Sequence, residues 1–403
     1  MKNITFIRTF WPVGHGAFYT EGHFCHSSDK SFCAVYDCGG NSKSTIERQI
    51  ESFLIRNSST LTINYLFISH FHRDHINGLH YLLSHAEIEH IVIPQLEATR
   101  LIEAYVYNAI TADNIDDVQD DAQFFIRRRL ATNDINVKQI IEVEAINEER
   151  QPFEPRENNN GFKTIVHSGY EIEVFDDDND IPYWVYIPVN IDFDYVKRQQ
   201  LVTELNKICK NCAVSPIIKD GEISWSSIDT ILDKNVEDVK KAYNNIFGDN
   251  HNAYSMPVFS GPKNRIFHTH LYDSGLFEYY MNSYSKYYRN FNFIHYRWEW
   301  LLSCLYMGDF EANNRSKLNQ LKKSLNRYYH QVGVQQVPHH YSAHNHEIDL
   351  YEDRIVAFGN VDDHKDISFC HSVYNEIFRG THLPPLIITE ESIPYRYVTL
   401  LEL

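Results

Sequence analysis

The stretch Tyr65-Leu66-Phe67-Ile68 followed by Ser69-His70-Phe71-His72-Arg73-Asp74-His75 constrains this chain more than any other. An apolar run closed by polar residues reads as a buried strand, which puts the His/Asp cluster on the loop at the strand's end. Open α/β sheets carry their chemistry at that edge. The imidazoles and the carboxylate are nitrogen and oxygen ligands of the kind Zn²⁺ prefers and Mn²⁺ or Fe²⁺ accepts. By alternation His70 and His72 point to one side and reach one ion, whereas Asp74 and His75, on the turn into the next helix, reach a neighbouring one. The spacing suits two cations better than one. The competing reading is a set of polar loop residues with no shared partner, and the density of ligands directly after a buried strand argues against it.

The chain has 403 residues, of which 43% are hydrophobic and 14% aromatic, so it can bury a large core and is not of the disordered class. We expect one domain over 1–403, with helical insertions at about 97–136 and 196–247. A formal net charge of −17 opposes nucleic-acid binding through a basic surface. An anionic substrate would need a local basic patch, the cations themselves, or a basic partner protein. Seven cysteines without disulfide-like spacing point to a reducing, cytoplasmic setting. No signal peptide is expected at the N-terminus, and no apolar run approaches the ~20 residues that span a bilayer, so no membrane is expected.

Strands are expected at Ile4 to Phe10, Val13 to Phe18 and Phe32 to Gly40, joined by glycine turns. The third ends in Asp37-Cys38-Gly39-Gly40, which places Asp37 at the mouth of the same sheet or makes it a simple turn residue. His15, in Val13-Gly14-His15-Gly16, either faces the site or is a turn residue, and the turn is preferred. Helical spacing over 43–58 and 78–86 and a strand at 88–93 give strands alternating with helices, a layered α/β pattern. Helix then runs from about Glu97 to Ile135, through an acidic stretch, Asp113 to Asp121, read as a solvated face, and Arg127-Arg128-Arg129, a weak phosphate-binding candidate. Strands and turns follow at 139–144 and 163–191, and a second helical insertion spans Val196 to Phe247. Its Cys209-Lys210-Asn211-Cys212 has no second pair nearby and is read as structural. Past the strand entered through Ser255 to Phe259 lies an aromatic insert, 265–299. Leu301 to Asp309 is an apolar strand ending in Gly308-Asp309. After a helix from Asn313 to Tyr329 comes Val334-Gln335-Gln336-Val337-Pro338-His339-His340-Tyr341-Ser342, and a strand at 354–360 closes the pattern.

His70-x-His72-x-Asp74-His75 resembles the signature of the metallo-β-lactamase superfamily. The Val-Gly-His-Gly turn, the Asn-rich entry through Ser255, Gly308-Asp309 and Pro338-His339-His340-x-Ser342 are similar to the competence-type DNA-uptake branch. The likeness runs in order from about residue 4 to residue 372. It implies a four-layer αββα sandwich with the metals at one edge and two ions, Zn²⁺ or alternatively Mn²⁺. His70 and His72 would hold the first ion; Asp74, His75 and His339 or His340 the second; Asp309 would bridge. His339 is narrowly preferred, because neighbours on a strand face opposite ways. Asp37 would hold a ligating histidine from behind. One departure stands out: most hydrolases of the superfamily carry a third histidine on the first metal. His90, His167, His251, His268 and His270 lie in the right interval, and none stands in a recognisable motif.

The implied chemistry is hydrolysis by a hydroxide activated between two metals, with catalytic Asp74 among the ligands and His344, His346 or His371 protonating the leaving group. A nuclease or phosphodiesterase acting on a nucleic acid or nucleotide is the first expectation. Hydrolysis of a carbon ester, lactone or amide is the second. A third is a metallo-fold retired to a binding or regulatory module. The insertions and the acidic charge suggest a protein partner, in a bacterial system such as nucleic-acid defence.

Overall fold

The computed structural model describes residues 3–27, 31–57, 61–95, 97–111, 137–146, 156–157, 162–176, 179–248, 255–264, 267–273, 298–342, 345–362, 367–381 and 383–403. The Asp113 to Asp121 run, the arginine triplet, His251 and His344 lie outside them.

The chain opens with β1 (Asn3–Phe10), β2 (Tyr19–Cys25), β3 (Ser31–Tyr36), α1 (Lys43–Asn57), β4 (Thr62–Phe67), α2 (Arg73–Ile76), α3 (Leu79–His85), β5 (Glu87–Pro94) and α4 (Ala98–Thr111). It continues through β6 (Val137–Glu144), β7 (Arg156–Glu157), β8 (Lys163–His167), β9 (Ile172–Asp176), β10 (Asn179–Pro188) and α5 (Tyr195–Asn211). A short hairpin, β11 (Ile218–Lys219) and β12 (Glu222–Ile223), leads to α6 (Trp225–Phe247). Then follow β13 (Val258–Pro262), β14 (Phe267–Asp273), β15 (Cys304–Tyr306), α7 (Arg315–Leu325), β16 (Val334–Gln336), β17 (Val356–Asn360), α8 (Ile367–Gly380), β18 (Leu386–Ile388) and β19 (Tyr395–Glu402).

Two large sheets result. One runs in the order β14-β19-β1-β2-β3-β4-β5-β6-β8-β7 and the other β18-β17-β16-β15-β13-β10-β9. Period-two alternation explains why they stack with helices outside. Trp184 and Tyr186 of β10 and Cys304 and Tyr306 of β15 face Phe6, Tyr19, Tyr36 and Phe67 of the first sheet in one core. Their neighbours Val185, Ile187 and Leu305 point the other way, against Leu318, Leu321 and Leu325 of α7 and Val373 and Ile377 of α8. On the far side, Val35, Ile63 and Leu66 meet Ile46, Ile50 and Phe53 of α1 and Leu79 and Leu82 of α3. The layers are therefore helix, sheet, sheet, helix. A separate cluster packs α4 on α5 and α6 through Ile102, Val106, Leu201, Leu205, Ile228 and Ile231.

A polar bolt crosses the two sheets. Arg8 is 1% exposed and donates to Glu21 (2.7 Å) and to the carbonyls of Leu301 and Leu302 at 3.1 and 2.8 Å. Glu21 also accepts from Tyr186, Tyr306 and Ser260 of the second sheet, at 2.7, 2.7 and 2.6 Å. A buried charge satisfied this completely fixes register and leaves no orphaned polar atom on Glu21.

The strand expected at Val13 to Phe18 is not formed. Gly14 and Gly16 hold φ of 68° and 138°, conformations that interrupt pairing, so the segment is a loop and the second strand begins at Tyr19. Among the described residues, no helix is long and apolar enough to cross a membrane.

Candidate metal centre

The candidate ligands sit where strands end at one edge of both sheets. β4 stops at Phe67, and the loop His70-Phe71-His72 leads straight into the single turn of α2, which carries Asp74 and His75. Asp37 ends β3 beside it, in a left-handed conformation (φ 54°), the kind of strain that persists where surrounding contacts enforce it. Here those contacts are visible. One Asp37 oxygen accepts the Ser69 backbone N–H at 2.7 Å; the other accepts the Ser69 hydroxyl at 2.7 Å and His75 Nδ1 at 2.8 Å. From the second sheet, β15 ends in Gly308-Asp309. Gly308 has φ 54°, and a Cβ there would stand 2.7 Å from Ser255 Oγ and 2.8 Å from Ser69 Oγ, so only glycine lets Asp309 come this close.

Two groups of side chains converge. Asp74, His75, Asp309 and His340 form one and His70, His72 and Asp309 the other, with ligand atoms within 4.8 Å of one another in each. His75 Nε2 lies 3.2 Å from Asp309 Oδ1 and 3.5 Å from Asp74 Oδ2, and His340 Nε2 lies 3.3 Å from Asp74 Oδ2 and 3.5 Å from Asp309 Oδ1. Ligands about 2.1 Å from a tetrahedral cation stand on the order of 3.4 Å apart, so these separations fit a shared ion. His70 Nε2 is 3.7 Å from the other oxygen of Asp309, which therefore faces both groups.

The hydrogen bonds behind the rings decide which nitrogen is free. The Ser69 hydroxyl gives its proton to Asp37, so it accepts from His70 Nδ1 at 2.9 Å. His75 Nδ1 donates to Asp37; His340 Nδ1 lies 3.1 Å from the Asn360 carbonyl, to which it can only donate, and 3.4 Å from the Gly16 N–H, the longer and weaker of the two contacts. With Nδ1 so engaged, all three rings turn Nε2 toward the carboxylates, and it is the atom through which each could bind a cation once unprotonated. Those three Nε2 atoms and Asp309 Oδ1 are buried with no hydrogen-bond partner. Buried orphaned acceptors are costly, and their convergence beside carboxylates is what a cation site requires. The field agrees with this. Burial works against a charge on His75, but Asp74, Asp309 and Asp37 raise its pKa well above the usual imidazole value. His70, by contrast, is pushed down by burial and by neighbouring His75 and His72. Burial also opposes the charge on Asp74 and Asp309, yet the histidines around them hold both carboxyls below their ordinary range. The residues present fit a pair of divalent cations.

His339 stands apart. Its side chain is 21% exposed against 4% for His340, and its Nε2 is 4.0 Å from Asp309. Asn345 Nδ2 donates to its Nδ1 at 2.7 Å, which puts the proton on Nε2 and makes that atom a donor. The geometry thus favours His340 over the narrowly preferred His339. Strand alternation does not apply here, because His339, His340 and Tyr341 form a left-handed turn with φ of 49°, 49° and 63°.

Of the groups considered for proton donation, His346 is turned away. It bonds Glu376 at 3.1 Å and stacks on Tyr351. The side chain of His371 on α8, like all of His344, lies outside the described residues. His15 faces the centre instead of merely making a turn: its ring lies 4.0 Å from that of His340, which, with burial, lowers its pKa to about 4. Of the histidines considered for the first ion, His90 bonds the Asn64 carbonyl and His167 that of Ser168, while His268 and His270 lie on edge strand β14, their side chains outside the described set.

Three neighbours escaped sequence reasoning. Ser69 and Ser255 orient His70, and Ser255 also accepts the Asp309 N–H at 2.6 Å. Tyr107 of α4 stacks on His72 at 4.0 Å. Ser69, inside the motif, and Ser255, in the Asn-rich entry to its strand, carried a signal; Tyr107 carried none. Cys209 is buried at the end of α5 and Cys212 bonds Asn235, with no further metal ligand grouped there among the described residues.

Part of the sequence is similar to a known family. Residues 28–155, which contain Asp37 and the whole His70 to His75 motif, match the family model of the metallo-beta-lactamase superfamily. The fold is accordingly a metallo-β-lactamase-like αββα sandwich with helical additions. Among solved structures, the crystal structure of unliganded yeast PDE1 is similar over 98% of this chain and 99% of that one, with 9% sequence identity and a TM-score of 0.35. No curated protein matches the sequence.

Proposed function

We propose that this protein is a metal-dependent hydrolase of phosphodiesters, a nuclease or a phosphodiesterase on nucleotides. The observation that carries the reading is the convergence of buried, unpartnered His70 Nε2, His75 Nε2 and His340 Nε2 around Asp309 in two ligand groups at the sheet edge. His70 and His72 would hold one cation, Asp74, His75 and His340 the other, and Asp309 both. A divalent pair supplies Lewis acidity toward a phosphoryl oxygen and lowers the pKa of water.

The chain's own groups divide the remaining work. Asp37 and Asn360 keep the protons of His75 and His340 on the nitrogens that face away from the ions. Asp74, whose side chain is 28% exposed, opens the ligand set to the solvent side, where substrate would enter. His339, with an Nε2–H turned toward Asp309, would hydrogen-bond a departing oxygen without giving up its proton. The phosphodiester preference rests on the motif resemblance and on the suitability of paired cations for in-line displacement. With a net charge of −17, the protein would bind a polyanion through the cations and not through a basic surface.

The test is a substrate panel with purified protein in Zn²⁺ or Mn²⁺: DNA, RNA, a cyclic nucleotide, bis(p-nitrophenyl) phosphate and p-nitrophenyl acetate. Cleavage of a phosphodiester that is lost in the Asp74→Ala/His75→Ala double variant is the expected result. Hydrolysis of the carboxylic ester alone would move the assignment to carbon esters, lactones or amides, and inertness toward every phosphodiester would overturn the proposal.

A further inference from the structure

The helical addition made of α4, α5 and α6 packs around its own apolar cluster, and Tyr107 and Asn108 of α4 touch the metal loop. Asn108 of α4 accepts the Arg73 N–H through Oδ1 at 2.9 Å and donates from Nδ2 to the Phe71 carbonyl at 2.9 Å. These two bonds bracket His72 on either side. The preceding residue, Tyr107, is half-buried, and its ring lies on the His72 imidazole with centroids 4.0 Å apart and planes at 29°. Behind it stands Tyr243 of α6, with ring centroids 5.9 Å apart. Tyr243 is fully buried, and its hydroxyl donates to Glu103, one helical turn before Tyr107. The rank Glu103, Tyr243, Tyr107 thus ends on a ligand ring.

Resting on the metal-hydrolase reading above, we propose that Tyr107 is a positioning residue for His72, by which the helical addition sets the affinity of the His70, His72 and Asp309 group for its cation. His72 sits at the start of α2 on extended backbone (φ −71°, ψ 150°), and its ring face is pressed by an aromatic plane. A cation drawn to one edge of an imidazole leaves the ring electron-poor, and the electron-rich face of a phenol then attracts it more strongly. The contact therefore strengthens when the ion binds, which a contact that only filled space would not do.

Co²⁺ titration followed by its visible d–d absorption, with far-UV circular dichroism on each variant, tests this without reference to turnover. Wild type is expected to take up two equivalents. Tyr107→Ala should bind one of them about 10- to 100-fold more weakly, the usual effect of removing a group that orients a ligand. Tyr107→Phe, which keeps the ring, should stay within about threefold of wild type, whereas Tyr107→Leu, which keeps volume without the aromatic face, should fall with the alanine variant and serves if that variant does not fold. Equal wild-type binding by the leucine variant, or equal weakening by phenylalanine and leucine, overturns the proposal. Wild type that binds no Co²⁺ overturns both this inference and the reading beneath it, and is distinguishable because it appears before any substitution.

Discussion

Replacing Asp37 by asparagine changes one atom and separates the metal account from ordinary packing. Asp37 is fully buried and receives three donors: Ser69 N–H, Ser69 O–H and His75 Nδ1–H. An asparagine has one acceptor oxygen and one donor amide, so in either flip a buried donor faces a donor. If the amide points at His75, the imidazole relieves the clash by moving its proton to Nε2, the atom that must be bare to bind a cation. Holding the productive tautomer instead leaves a donor unsatisfied, at a cost of about 1–3 kcal/mol. At about 1.4 kcal/mol per tenfold, that is roughly 5- to 150-fold in affinity for the ion held by Asp74, His75, Asp309 and His340. Fold stability should suffer less, because burial raises the Asp37 pKa and removing that charge relieves its desolvation. The assay is calorimetric titration of metal-free protein with Zn²⁺, beside urea unfolding of the same samples. Wild-type Zn²⁺ affinity in Asp37→Asn, with the fold intact, would refute the tautomer argument.

Two further predictions concern the frame that holds the site. Arg8→Met strands Glu21 between the sheets without its cation, and urea unfolding should show a loss of about 3–5 kcal/mol; Arg8→Met/Glu21→Gln should lose less than the two single variants summed, and strict additivity would contradict the coupling. Asp192, which receives Arg100 at 2.9 Å and buried Arg198, is held below the usual carboxylate range by these two arginines against the effect of burial. A depressed folded pKa stabilises above the unfolded value and ceases to do so as pH falls through the folded one. The stability gap between wild type and Asp192→Asn should therefore be full at pH 7 and narrow below about pH 4, and a gap unchanged at pH 3 would show that Asp192 carries no linkage.

Much of the centre could be read from local pattern, because the information is local. His70, His72, Asp74 and His75 sit within one strand end and one turn, where periodicity alone sets direction. Asp37 and Asp309 were readable for the same reason, each closing an apolar strand. What the local pattern left open was long-range or conformationally unusual. The order of His339 and His340 depends on three consecutive left-handed residues, which no strand or helix period describes. His15 points inward because Gly14 and Gly16 turn the chain, and the direction of a turn is not written in its composition. Tyr107 reaches His72 from a helix whose docking is set by Asn108 and by packing on α5 and α6. A lone Tyr-Asn pair on a helix carries no mark of that contact.

Anomalous diffraction from crystals grown with Zn²⁺, collected on both sides of the zinc absorption edge, addresses the central claim without intermediaries. The account predicts two peaks, one among Asp74, His75 and His340 and one beside His70 and His72, with Asp309 between them. Zinc-loaded crystals with no peak within bonding distance of Asp309, or with zinc only at scattered surface histidines, would contradict it.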